Sequence, residues 1–156
     1  MNLKGSKKGF TIIEVVLVLA IAGLIFLMVF IALPALQRSQ RDTQRRQDYA
    51  DLASAISNYT TNNGGNLPPA STGKLDPKQY INSKGEDPKG TTYKIIVQKG
   101  TITKAPAEGE VYVATKADCS GAAANTGYSQ PKEVTNTRAY AVYGYLESGT
   151  YCQANQ

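Results

Sequence analysis

Residues 15–36 form a run of 22 positions without a charge, and one carboxylate, Glu14, stands at its entrance. As an α-helix the run is ~33 Å long, close to the ~30 Å thickness of a bilayer's hydrocarbon core. A stretch this apolar is driven out of water. Its burial, in lipid or against further copies of itself, constrains everything else the chain does.

Upstream lies a short basic leader, and the junction reads Lys7-Lys8-Gly9-Phe10-Thr11-Ile12-Ile13-Glu14. A secretory signal peptide fits poorly, because its apolar region usually spans about 7–15 residues. Pro34 also interrupts the small-residue cleavage pattern around Ala32 and Ala35. A plain transmembrane anchor fits the length. Neither reading explains Glu14, since an ionisable group within a membrane segment is costly and by default functional.

Two compatible roles are open to Glu14. Thr11-Ile12-Ile13-Glu14 has the spacing of a capping box, in which Glu14 satisfies backbone donors at the helix start and sits at the positive end of its dipole. Alternatively, cleavage between Gly9 and Phe10 creates a new amine on Phe10. In an assembly of parallel helices Glu14 of one copy then pairs with the Phe10 amine of the next. An unpaired buried carboxylate costs several kcal/mol, so such pairing would set axial register.

The basic leader, Gly9-Phe10, Glu14 and the apolar run together resemble the class III signal of type IV pilins and pseudopilins. The resemblance covers residues 1–36. It implies a leader, 1–9, removed after Gly9 by a prepilin peptidase, and N-methylation of Phe10. It further implies a helix, 10–36, that is first a membrane anchor and then a filament core, with Glu14 in subunit registration. Gly23 and Pro34 both weaken a helix. In similar pilins the helix between such residues unwinds inside the filament, although Pro34 lies about three residues later than in many of them.

Residues 37–48 contain neither Gly nor Pro, so the helix continues. Arg38, Arg41 and Arg45 fall on one face. That face reads either as a contact for lipid headgroups or neighbouring subunits, or as a solvated surface. These arginines compete with Lys4, Lys7 and Lys8 under the positive-inside rule, so charge alone does not orient the span. Tyr49, Leu52, Ile56 and Tyr59, with Ala53, then form an apolar stripe suited to packing on a sheet. Asn62-Asn63-Gly64-Gly65 ends the helix. The amphipathic continuation is therefore 37–62 and the globular head 63–156.

In the head, residues 63–90 read as an extended loop. Asp87-Pro88-Lys89-Gly90 has the chemistry of a type I turn. The unit Asp-Pro-x-Gly-x-x-Tyr, ending at Tyr93, is similar to one in Gram-positive pilins and major pseudopilins. Alternation predicts strands at 93–98, 110–116, 138–146 and 150–153, the last two as a hairpin around Glu147-Ser148-Gly149. Residues 120–128 read as a surface loop. The expected fold is α+β: a long N-terminal helix, about residues 11–62, packed on a small antiparallel sheet of three or four strands, the pilin fold.

Cys119 and Cys152 are the two cysteines. Outside the cytoplasm they form one disulfide; inside it they remain buried thiols. The bridge would close a loop worth about 3–4 kcal/mol in the chain-entropy account. With no His, a His-dependent triad is excluded, and the cysteine count excludes a zinc site built on several Cys. Scattered acids give no calcium-ligand spacing, so no metal, cofactor or catalytic residue is expected. Of the net +5, Lys4, Lys7 and Lys8 carry three charges, and no specific nucleic-acid partner is expected. The resemblance implies a structural subunit of an extracellular type IV pilus, serving adhesion, motility or DNA uptake. Its partners would be copies of itself, minor pilins, the prepilin peptidase, the pilus assembly platform and, before assembly, the cytoplasmic membrane. The alternative is a pseudopilin of a type II secretion or competence system.

Overall fold

The computed structural model describes residues 9–72, 75, 80, 81, 84–122 and 128–155. One helix, α1, runs over Ile12–Asn62. Seven strands follow: β1 Ser71–Thr72, β2 Lys94–Lys99, β3 Glu110–Thr115, β4 Ala117–Ala122, β5 Ser129–Glu133, β6 Tyr140–Leu146 and β7 Gly149–Ala154. The chain divides into two compact units, one ending at Gln37 and the other beginning at Arg38.

In the first unit every large apolar side chain of the run is exposed, from Ile12 through Leu36. The helix passes through Gly23 and Pro34 without a break. There it is held by its backbone hydrogen-bond ladder and by the cap at its start, because Val and Ile are only moderate helix formers. Pro34 removes one donor from that ladder.

In the second unit the same helix buries Tyr49, Leu52, Ala53 and Ile56 at helical spacing. They pack on one face of the main sheet, against Tyr93, Ile95 and Val97 of the β2 region, Val111 and Val113 of β3, and Tyr140, Val142 and Leu146 of β6. Tyr59, expected in the stripe, is only half-buried. The helix ends by a Schellman geometry. Gly64 adopts φ +64°, and the Gly65 N–H donates to the Thr60 carbonyl at 2.8 Å.

The α+β class and a long helix on an antiparallel-rich sheet are as the sequence implies. The strand pairing is richer than a three- or four-strand meander. The main sheet has the order β1-β2-β3-β6-β7, and a second sheet consists of β4 and β5. β2 and β3 pair in parallel, with Lys94 opposite Glu110 and Lys99 opposite Thr115. No two-residue turn links them. Residues 100–109 return the chain to the starting edge, and the crossover buries Ile102 on the opposite face of the sheet.

That opposite face is covered too. Tyr112, Ala114, Ala141 and Tyr143 form a second core with Ile102 and Ala117. β4 and β5 pair as an antiparallel hairpin with a bulge between Asp118 and Gly121. Residues 120–122, expected in a surface loop, therefore belong to β4; residues 123–127 of that loop lie outside the described part. β5 escapes sequence reading because Ser-Gln-Pro-Lys-Glu shows no apolar alternation. Its Pro131 is tolerated because the strand has a partner on one side only in this sheet. Cys119 of β4 is bonded to Cys152 of β7, with Cα atoms 5.8 Å apart, fastening the small sheet to the large one.

The Tyr49 side chain of the helix lies directly against Gly144 in β6. A Cβ there would overlap the Tyr49 ring, whose hydroxyl donates to the Tyr145 carbonyl at 2.7 Å. We expect Gly144→Ala to cost about 1–3 kcal/mol through overpacking. Urea unfolding of the full chain in neutral detergent, followed by tyrosine fluorescence, measures it.

Candidate assembly site

At the N-terminal end, Gly9 and Phe10 precede α1, and Phe10 is 90% exposed. Glu14 lies in the first helical turn. The Thr11 backbone N–H and hydroxyl both donate to Glu14 Oε2, at 2.9 and 2.8 Å, while the Glu14 N–H reaches Thr11 Oγ1 at 3.4 Å. This reciprocal pattern is the capping box. Among the described residues Glu14 has no cationic partner. Phe10 and Glu14 share a shallow depression of about 310 Å³ with Val15, Val18 and Leu19. An added Cβ on Gly23 meets nothing within 4 Å, so the helix surface there is open to a close neighbour.

In the second unit a buried charge cluster holds the helix to two distant turns. Arg45 is 1% exposed. Its Nη2 and Nε donate to Asp87 Oδ2 at 2.8 and 3.3 Å, and its Nη1 donates to Asp42 and Glu147 at 3.3 Å each. Glu108 stands 3.6 Å away, and the guanidinium lies over the Tyr145 ring. Arg41 grips Glu147 with two parallel bonds of 2.6 and 2.9 Å. Asp42 in turn accepts the backbone N–H groups of Glu147 and Ser148, at 2.8 and 3.0 Å. Lys89 adds bridges to Glu108 and Glu147.

The expected type I turn is present. The Gly90 N–H donates to the Asp87 carbonyl at 2.8 Å, and Asp87 Oδ1 accepts from the Lys89 and Thr91 amides. Its other carboxylate oxygen is left for Arg45. The Tyr93 hydroxyl donates to Asp48 Oδ2 at 2.9 Å. Both polar ends of the Asp87–Tyr93 unit thus meet one helix face, at Arg45 and Asp48.

The arginine face is therefore corrected. Arg41 and Arg45 are turned to the head's own carboxylates rather than to lipid, a neighbour or solvent; Arg38 is 70% exposed and only 4.0 Å from Glu147. The buried stripe carried the missed signal. Stepping back from Tyr49 by four and then three residues lands on Arg45 and Asp42, so the packed face extends a further two turns.

The cluster also sets ionisation. Arg41's hydrogen bonds hold the Glu147 carboxyl down from its ordinary 4.5 to about 2. Burial pushes the Asp42 carboxyl up, but bonds from Ser148, Glu147 and Arg45 outweigh it and the net shift is downward. For Arg45, burial opposes the charge, and Asp87 and Glu147 reverse that into a raised value.

Residues 4–30 match the prokaryotic N-terminal methylation motif, the class III signal of type IV pilins. The match covers the basic residues before Gly9 and most of the apolar run. No curated protein and no solved structure matches the chain. Signal and fold together define an α+β, pilin-like architecture: a methylation-motif N-terminus on a long apolar helix that carries a disulfide-bonded β head. More particularly, the matched signal is one that prepilins of the pilin and pseudopilin kind carry.

Two outcomes test the cluster. Arg45→Met strands Asp87 in the interior and should destabilise the head by roughly 3–5 kcal/mol in urea unfolding. A carboxyl whose folded value is depressed stabilises above its unfolded value and loses that contribution as pH falls. Unfolding free energy should therefore drop as pH falls from 4.5 toward about 2. Glu147→Gln should lower stability at neutral pH and flatten that part of the profile.

Proposed function

We propose that this chain is a prepilin, cut between Gly9 and Phe10 by a prepilin peptidase and N-methylated on Phe10. Residues 10–36 hold it in the cytoplasmic membrane until the pilus assembly platform extracts it. It then polymerises with its own copies and minor pilins into an extracellular type IV pilus serving adhesion, motility or DNA uptake. The observation that carries this reading is the apolar helix itself, exposed along its whole length and headed by a glutamate without a cationic partner among the described residues.

Assembly would bury the exposed apolar helix and give Glu14 a cationic partner. Burying a large apolar side chain is worth about 1.5–3 kcal/mol, and the helix offers many. Cleavage supplies an amine on Phe10 beside the depression that Glu14 lines. In a bundle of parallel helices, that amine neutralises Glu14 of a neighbour and makes every other register leave a buried charge unpaired. Gly23 and Pro34 are where the helix yields most easily as it bends into a filament. The second reading is a pseudopilin of a type II secretion or competence system; the Asp87–Tyr93 unit, which resembles one in Gram-positive pilins and in major pseudopilins alike, is compatible with either.

Intact-mass and N-terminal analysis of sheared surface filaments should find Phe10, methylated, as the first residue, with this subunit dominant. Absence of the subunit from sheared material, with Phe10 still exposed in membranes, would favour the pseudopilin. Glu14→Ala should leave processing intact and reduce filament yield to about one tenth or less, the scale of an unpaired buried charge. Normal filaments from that variant would remove the registration role.

A further inference from the structure

A cleft of about 570 Å³ opens where residues 64–70 leave the helix and pass β2, β3 and the approach to β6. Lys99, Lys116 and Arg138 line it, and among the described residues no acidic one does. Among the described residues these three cations form no ion pair, whereas Arg41, Arg45, Lys89 and Lys104 all do. Glu133 lies against Gly100, beside Lys99 in sequence, yet does not bridge to it. Like charges gathered in a concavity reinforce one another's field and attract an anion.

Two local features maintain this arrangement at a cost. Lys116 has φ +57°, in the left-handed region that a non-glycine residue enters with strain. It is held there because its N–H donates to the Ala139 carbonyl at 2.7 Å and its carbonyl accepts the Val134 N–H at 2.8 Å. A lysine contributes nothing to that turn that glycine would not do better. Arg138 packs its guanidinium on Gly65, where a Cβ would stand 3.1 Å from Nε. Gly65, at φ +88°, answers the turn and the close approach together. The Arg138 backbone is fixed by the Asn136 and Asn155 side chains.

The remaining lining narrows the ligand. The cleft is far larger than one phosphate. Thr137 and Asn66 offer a hydroxyl and an amide for sugar hydroxyls, and the exposed Pro69 offers apolar surface for a sugar ring. We propose that this cleft binds a phosphorylated sugar, its phosphate taken by Arg138, Lys99 and Lys116 and its ring set against Pro69. The site belongs to the head and holds whether the subunit builds a pilus or a pseudopilus.

The test is titration of the ¹⁵N-labelled full chain, in uncharged detergent micelles, with glucose 6-phosphate, glucose and inorganic phosphate in parallel. Glucose 6-phosphate should shift the amides of Gly64, Gly65, Lys116 and Arg138 saturably. It should bind about tenfold or more tighter than either control, and weaken with added salt. Arg138→Ala should reduce affinity about tenfold. Lys116→Gly should reduce it similarly while keeping or raising the unfolding midpoint, because it removes the charge and relieves the strain together. Failure of glucose 6-phosphate to saturate overturns the proposal, as does binding no better than inorganic phosphate. Shifts that map elsewhere, or unchanged affinity in both variants, overturn it equally.

Discussion

A guanidinium with no access to water must find carboxylates, and the head is arranged so that Arg45 finds them. Asp42 comes from its own helix, Asp87 from the turn before β2, and Glu147 from the turn between β6 and β7. The apolar stripe Tyr49–Ile56 supplies driving force, but burial of that kind is non-directional and tolerates sliding. The hydrogen bonds of Arg45, Arg41 and Asp42 do not. They fix which helical turn meets which sheet edge, because any shift leaves charges buried without partners. The same turn that presents Asp87 also aims Tyr93 at Asp48, so the order of the β2 edge follows from the same contacts.

The sheet's second face explains why so short a head has two cores. β3 and β6 are buried on both sides: the helix covers Val111, Val113 and Val142, and the Ile102 crossover and β4–β5 hairpin cover Tyr112, Ala114, Ala141 and Tyr143. Small side chains at Ala114 and Ala141 leave room for that second layer. The layer offers little apolar surface of its own, and the Cys119–Cys152 bond fastens it covalently. The head can thus carry the charged clasp on one side and a disulfide-fastened surface on the other. The apolar helix of the first unit meanwhile keeps its whole surface available for lipid or for other copies.

Much of this was legible in the residues. The helix, its cap at Thr11 and Glu14, its stop at Gly64 and the turn at Asp87 rest on interactions between residues a few positions apart, and such interactions leave spacing that can be read. Four strands of the main sheet, β2, β3, β6 and β7, were found from their apolar and aromatic patterning, and their bounds differ by a residue or two; β1, two residues inside the stretch read as a loop, was not. β5 was not found, having no alternation, and the parallel pairing of β2 with β3 was not found, because a crossover without a helix has no local signature. The arginine face was misread for the same reason: its partners lie 42 and 106 positions away.

By itself, then, the sequence determined the membrane-length helix, the methylation motif that residues 4–30 match, the amphipathic continuation and the α+β class. Each is a property of contiguous residues and of the water they avoid. Only the tertiary structure decided that Arg45 is an internal clasp, that the sheet is covered on both faces, and that Lys99, Lys116 and Arg138 meet around one cleft. Those facts depend on which distant segments come together, and long-range pairing is settled by the geometry of packing and charge compensation, not by local pattern.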